Sequence, residues 1–120
     1  MNEREVHDFV EKSIPEFYSH PVGDHAGRDI TSLMQSLYLF TNKHIVADDY
    51  RTVKKALQLV ENLYRRGDQE IRTAIDTVFI FLYTRFLQEE KEKKDMLLNI
   101  TPVSVYRLYI NQVINNAVNQ

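Results

Sequence analysis

The amino-acid sequence predicts an all-α fold of about five helices, arranged as a compact bundle or as stacked helical hairpins. The first observation behind this prediction is that helix-breaking residues are rare, because the 120 residues include only three glycines and three prolines. The second is that apolar residues recur at spacings of three and four, as they do on one face of a helix. The third is that no segment alternates apolar and polar residues over the length of a strand.

The N-terminal segment is predicted to form a helix from about Glu3 to Ser13, because its apolar residues have helical spacing. Pro15 ends this helix, since the residue before a proline avoids helical backbone. A second short turn is predicted at residues 16–18. The main loop of the chain follows at residues 20–28, which contain two of the three glycines and two of the four histidines.

The second and third helices have clear start and stop signals. The second is predicted to begin after Asp29, whose carboxylate can accept a hydrogen bond from a first-turn amide, and to end near Ala47. The third is capped by Asp48 or Asp49 and ends at Gly67, which we expect in the left-handed C′ position.

The fourth helix is predicted to start at once, with Asp68 as its N-cap. Since about two residues join it to the third helix, we expect the third and fourth helices to form an antiparallel hairpin and the firmest contact of the fold. Apolar residues cover almost every side of it as far as Leu87, which is typical of a buried central helix. The charged tail, residues 88–95, is expected to project into water.

The last helix is predicted to open with Thr101 as N-cap and Pro102 at its first position. Its predicted apolar face consists of Val103, Tyr106, Ile110, Val113, Ile114 and Ala117. Four other apolar residues lie off the main faces of the last two helices, and we expect a partner or a second subunit to contact them. These four are Ile80, Leu87, Val105 and Leu108.

Length and composition narrow the classes of function. A chain of 120 residues is expected to form a single domain. The absence of cysteine excludes disulfides and thiolate metal sites, and the net charge of −2 argues against nucleic acid as a partner. Neither phosphate-binding glycine motifs nor a Glu-x-x-His pair is present, so we expect no cofactor and lean against an enzyme. No segment looks like a signal peptide or a membrane span, so a cytoplasmic protein without membrane contact is expected.

Histidines supply the candidate polar sites. His20, Asp24 and His25 lie within six residues and could provide three metal ligands, although such residues in a loop are more often on the surface or capping turns. His44 is predicted to be partly buried near the end of its helix, where a hydrogen bond is favoured over a general-base role. Arg85 is expected to pair with Glu89 rather than to hold a ligand.

Basic residues predominate on the outer face of the third helix, where an acidic protein partner could bind. These residues are Arg51, Lys54, Lys55, Arg65 and Arg66. The favoured interpretation is a solvated helix face, with Glu61 pairing with Arg65 four residues later.

The segment from Val53 to Leu82 resembles a bacterial family of all-helical domains of unknown function, in which a helix ending in Gly-Asp leads into an Ala-Ile-x-x-Val-Phe helix. The resemblance implies the helical hairpin and a bacterial source, and it transfers no functional residue. In size and class the chain is also similar to immunity proteins of bacterial toxin systems. We therefore expect a non-enzymatic protein-interaction module, with another protein or a second copy as partner. The alternative is a small-molecule or metal-binding domain that uses the loop from His20 to Asp29.

Overall fold

A computed structural model describes residues 1–19 and 29–118, and these residues form seven helices with no strand among them. The fifth helix, α5, is continuous and consists of an α-helical segment Gln69–Ala74, a π-helical segment Ile75–Ile80 and an α-helical segment Phe81–Glu89. The other helices are α1 Glu3–Ser13, α2 Pro15–Ser19, α3 Ile30–Val46, α4 Tyr50–Arg66, α6 Lys91–Ile100 and α7 Val103–Val118. The all-α prediction is confirmed.

Helix α5 lies at the centre of the bundle and packs against α3, α4, α6 and α7. Aromatic rings tie its π-helical segment to its neighbours, since Phe79 contacts Tyr38 of α3 edge-on at a centroid distance of 6.0 Å. Tyr83, one turn further along, is fully buried. The apolar character of this helix on nearly every side follows from these contacts with neighbours on several sides.

Aspartates start three helices where the sequence predicts. Asp29 accepts a hydrogen bond from the Ser32 amide at 2.7 Å and caps α3. Asp49, rather than Asp48, caps α4, and Asp68 caps α5 through the Ile71 amide at 3.1 Å. These caps satisfy amides of the first helical turn, which have no partner within the helix.

The helical pairing differs from the prediction. Helix α4 packs mainly on α3, and α5 contacts α4 chiefly through its first segment, Gln69–Ala74. The π-helical segment Ile75–Ile80 packs mainly on α3, and the last segment, Phe81–Glu89, packs on α6 and α7. The expectation that the helices on either side of Gly67 form the firmest contact is therefore wrong, because α3 packs against both of them and its contact with α4 is the more extensive one.

Gly67 has a different role from the predicted one. Its φ of −76° and ψ of 156° are extended, so it is not in the left-handed conformation. A Cβ atom at this position would lie 2.5 Å from the Leu63 carbonyl oxygen and 2.6 Å from Cγ2 of Ile71. Glycine is required here because the two helices approach closely, and the positive φ of 58° belongs to Asp48 in the preceding turn.

The charged segment after α5 is only in part a solvated tail. Residues 91–100 form α6, a helix that the sequence analysis did not predict. Lys93 on α6 donates hydrogen bonds to the Ile45 carbonyl at 3.0 Å and to Asp48 at 3.1 Å. A lysine of this charged segment therefore also holds α6 against the end of α3.

Thr101 does not cap the last helix. Its hydroxyl donates to the Leu97 carbonyl at 2.6 Å, and α7 begins at Val103. Because the Thr101 proton is used in that bond, the Tyr83 hydroxyl donates to the Thr101 oxygen, at 2.8 Å. A hydrogen-bonded chain thus joins α5 to the end of α6.

Helix α7 turns a different face to the core from the one predicted. Its buried residues are Val105, Leu108 and Tyr109, whereas Val103 is 65% exposed and Tyr106 is 40% exposed. The expectation that Ile80, Leu87, Val105 and Leu108 form an accessible contact for a partner is wrong, because all four side chains are buried in the core. The helix has apolar residues on two faces, and packing on α4 and α5 buries one of them fully and the other only in part.

Candidate functional site

The outward face of α7 carries an apolar stripe, which we call the α7 stripe: Val103, Tyr106, Ile110, Val113 and Ala117. Each of these side chains is exposed or half-buried, and the neighbouring Ile114 is 52% exposed. Successive members are separated by three, four, three and four residues. This is the spacing of the a and d positions in a coiled coil, where one helix packs lengthwise on another.

Charged residues are scarce around this stripe. The last 19 residues of the chain contain only one charged side chain, Arg107, although 27% of the whole sequence is charged. Depletion of charge with retention of aromatic and apolar residues distinguishes the centres of protein interfaces from ordinary surface. The face of α7 combines both features.

A cavity of about 470 Å³ lies along one side of α7, between this helix, the end of α4 and the start of α5. We call it the arginine pocket; it is lined by Tyr64, Arg65, Arg72, Ser104, Arg107 and Leu108. Three arginines therefore line one cavity, and its lining includes no acidic residue.

Arg72 is held in place by the end of α4. Its Nε donates to the Tyr64 carbonyl at 3.0 Å and its Nη2 to the Arg65 carbonyl at 3.4 Å. The guanidinium also lies 5.6 Å from the centre of the Tyr64 ring. Because terminal carbonyls of a helix have no partner within it, Arg72 stabilises the end of α4, and the same residue lines the pocket.

Arg65 and Arg107 have no such fixed partners. The predicted ion pair between Glu61 and Arg65 is not formed; Glu61 instead accepts a hydrogen bond from the Ser104 amide at 3.4 Å. Within the described residues, no carboxylate lies within 4 Å of the guanidinium nitrogens of either Arg65 or Arg107. Both side chains are exposed and their positive charges are uncompensated.

A second cavity, of about 360 Å³, continues along α7 towards its C-terminal end and shares Tyr64 and Leu108 with the arginine pocket. Its lining is rich in carboxamides. The Gln112 amide donates to the backbone carbonyl of Asp76 at 2.6 Å, which ties α7 to the π-helical segment of α5. The groove beside α7 is thus basic near Ser104, whereas further along its lining consists mainly of carboxamides with one acidic residue, Asp76.

The predicted basic residues of α4 do not share one environment. All five, Arg51, Lys54, Lys55, Arg65 and Arg66, are exposed. Lys55 pairs with Glu16 at 3.3 Å, and the Arg66 guanidinium lies 4.9 Å from the centre of the Phe9 ring. Of these five, only Arg65 lines the arginine pocket.

His44 is engaged in a local contact at the end of α3. Its Nδ1 lies 3.0 Å from the Asp49 carboxylate, and its ring packs at 4.5 Å on Phe40. Hydrogen bonds from Thr52 hold the pKa of Asp49 below its usual value, and His44 lowers that pKa further. The contact joins the end of α3 to the cap of α4. Arg85 and Glu89 form the expected pair, at 3.4 Å, in an exposed position.

The candidate metal ligands His20, Asp24 and His25 lie outside the described residues. Within residues 1–19 and 29–118, no group of three or more histidine, aspartate or glutamate side chains is placed to hold a metal ion. The same residues include no helix that is both long and apolar enough to cross a lipid bilayer.

The sequence analysis missed part of this site. The sequence predicts an apolar face on the last helix without indicating that part of it lies outside the core, and no predicted site includes Arg72, Ser104 or Arg107. The scarcity of charge after residue 101 was the available signal for the stripe. No local signal reveals the arginine pocket, since its residues come from three helices.

Comparison with known proteins gives one match. Residues 7–115 match a family described as "Domain of unknown function (DUF7674)". No curated protein and no solved structure gives a match to this chain.

Proposed function

The chain belongs to the DUF7674 family, whose description carries no activity, and we propose from the geometry that it is a protein-interaction module. Its docking face is the α7 stripe, and its partner is another protein that presents an amphipathic helix. The observation that supports this most directly is a run of five exposed or half-buried apolar residues at coiled-coil spacing on a helix that is nearly free of charge.

The dimensions of α7 suit a helical partner. Its 16 residues extend over about 24 Å. A lengthwise helix can place an apolar side chain against each member of the stripe. Since a stable interface covers roughly 800 Å² on each side, the partner must also cover surface beside the stripe. The groove between α7 and α4 provides that surface.

The source of the protein and its cellular role are inferred from the resemblance noted in the sequence. We propose a bacterial, cytoplasmic protein that acts as an immunity or regulatory partner. The alternative of a small-molecule or metal-binding domain depends on the loop from His20 to Asp29, and no observation on the described residues favours it. The contact of His44 with Asp49 accounts for that histidine without a substrate.

The proposal is tested by affinity capture with two matched double variants. Val103→Gln/Ile114→Gln removes apolar surface from the docking face. Val46→Gln/Leu39→Gln removes it from α3, where Val46 is 66% exposed and Leu39 is 47% exposed. Because all four residues are exposed, each change is expected to alter stability by less than about 0.5 kcal/mol.

We expect the wild-type protein and the α3 variant to retain the same stoichiometric protein partner, and the α7 variant to lose at least nine tenths of it. The captured partner is then purified and its binding is measured directly with the same three proteins. Equal binding to all three proteins would refute the assignment of the docking face. A wild-type protein that captures only a metal or a metabolite would refute the interaction module itself.

A further inference from the structure

We infer that the partner helix carries carboxylate side chains beside its apolar positions, and that these carboxylates enter the arginine pocket. The inference rests on the proposed function, because it specifies the chemistry of the partner that the α7 stripe binds. It assigns a role to three arginines that the apolar contact alone does not explain.

The pocket lies along one edge of the stripe. Ser104 follows Val103 and Arg107 follows Tyr106, and consecutive residues of a helix point about 100° apart. Two residues that line the pocket are therefore immediate neighbours of two stripe residues. A helix that lies on the stripe presents its flanking side chains to this edge, as the e and g positions do in a coiled coil.

The charges of the pocket favour a partner helix whose flanking side chains are anionic. Arg65, Arg72 and Arg107 line one cavity without a carboxylate, in a chain whose net charge is −2. Arg72 is already fixed by the carbonyls of α4, so its ordering adds no further cost on binding. A guanidinium binds a carboxylate through two parallel hydrogen bonds, and the mutual repulsion of three cations is relieved by an anion between them. Docking excludes water from the groove and strengthens these interactions.

A second copy of this chain does not supply acidic side chains at those flanking positions. The face of α7 offers only one charged side chain, Arg107, so pairing of two α7 helices would bring arginine or carboxamide groups to the pocket. Like charges in contact disfavour such a pairing. Nucleic acid would satisfy the arginines but not the apolar stripe. The chemistry therefore fits an acidic amphipathic helix from a different protein.

The test uses three synthetic helical peptides with one apolar heptad pattern. They differ only at the flanking positions, which are all Glu, all Gln or all Lys. We expect the Glu peptide to bind the wild-type protein at least tenfold more tightly than the Gln peptide, and the Lys peptide to bind most weakly. The advantage of the Glu peptide should shrink as salt is raised, because screening weakens exposed charge pairs.

Matched variants of the protein separate the pocket from the general charge. Arg65→Gln/Arg107→Gln removes two charges from the pocket, and Arg51→Gln/Arg4→Gln removes two exposed charges elsewhere. Arg51 lies fourteen residues before Arg65 on the same helix, about 21 Å away. We expect the pocket variant to lose the preference for Glu over Gln and the other variant to keep it.

The outcomes distinguish this inference from the proposed function. If all three peptides bind equally and Val103→Gln/Ile114→Gln abolishes that binding, the docking face stands and the acidic partner is refuted. If no peptide binds and the wild-type protein forms a dimer that the same double variant dissociates, the partner is a second copy and the inference is wrong. If no peptide binds and the protein is monomeric, both ideas fail.

Discussion

Replacing either member of the hydrogen-bonded pair Tyr83 and Thr101 should destabilise the protein by different amounts. The Tyr83 hydroxyl donates to the Thr101 oxygen at 2.8 Å, and the Thr101 hydroxyl donates to the Leu97 carbonyl at 2.6 Å. Tyr83 is fully buried, whereas Thr101 is only partly buried. Which hydroxyl donates to which, and how deeply each residue is buried, determine how much stability Tyr83→Phe and Thr101→Val each remove.

Tyr83→Phe removes one hydrogen bond and leaves the Thr101 oxygen without a donor at a place that water can reach. We expect a loss of about 1 kcal/mol in the free energy of unfolding. Thr101→Val removes both hydrogen bonds and leaves a buried Tyr83 hydroxyl without an acceptor. The expected loss is about 2–4 kcal/mol, because an unsatisfied buried polar group costs about 1–3 kcal/mol.

The assay is urea unfolding of the wild-type protein, the two single variants and the double variant. In the Tyr83→Phe background, Thr101→Val should cost only about 1 kcal/mol, since no orphaned hydroxyl remains. The pair should therefore show a coupling energy of about 1–3 kcal/mol. Equal single-variant losses, or losses that add, would refute the order of donors.

Three further predictions concern stability. Gly67→Ala should lower the free energy of unfolding by about 2–3 kcal/mol in urea, because the added Cβ meets the Leu63 carbonyl at 2.5 Å and Ile71 at 2.6 Å. Thr84→Val should raise it by about 1 kcal/mol in the same assay, since the buried Thr84 hydroxyl has no hydrogen-bond partner in the described part of the chain. Burial raises the pKa of Tyr83 to about 12 from a usual value of 10.0. Its neutral form is therefore favoured by folding, and a contribution of at most about 2–3 kcal/mol is present below pH 10 and lost as pH rises through 12.

Controls keep these three predictions specific. Thr77→Ala replaces an exposed threonine within the π-helical segment of α5, whose hydroxyl donates to the Thr73 carbonyl at 2.7 Å, and should change stability less than the clash at Gly67 does. No gain for Thr84→Val would indicate that its hydroxyl is satisfied. The decrease in the free energy of unfolding between pH 10 and pH 12 should be smaller in Tyr83→Phe than in the wild-type protein. An unchanged decrease would mean that other tyrosines, such as Tyr38, whose pKa is also raised by burial, account for it.

Much of the fold could be predicted because its signals are local. Helix α1 has the predicted bounds, and Asp29, Asp49 and Asp68 start helices within the predicted regions. An N-cap acts on amides two or three residues away, so its effect does not depend on the rest of the fold. Helix α6 was missed because charged residues dominate its first turns, and only contacts such as that of Lys93 with Ile45 show how it is held.

The candidate site was predictable only in part. Arg65 was recognised as a basic surface residue, but its neighbours Arg72 and Arg107 lie on other helices and share no motif with it. The α7 stripe was visible as a pattern, yet the pattern does not say whether it meets the core or a partner. The scarcity of charge in α7 distinguishes the two only after Val105, Leu108 and Tyr109 are known to be buried.

The sequence by itself determined where α1, α3, α4 and α5 begin, that apolar residues form faces on the helices, and that sheets are absent from the described part of the chain. These features follow from caps, helical periodicity and backbone preferences, all of which act over a few residues. Only the tertiary structure decided that α3 packs on both α4 and α5, that Gly67 is required by a close approach of Ile71, and which face of α7 stays outside. Those features depend on contacts between residues distant in sequence, whose geometry arises when the helices pack together.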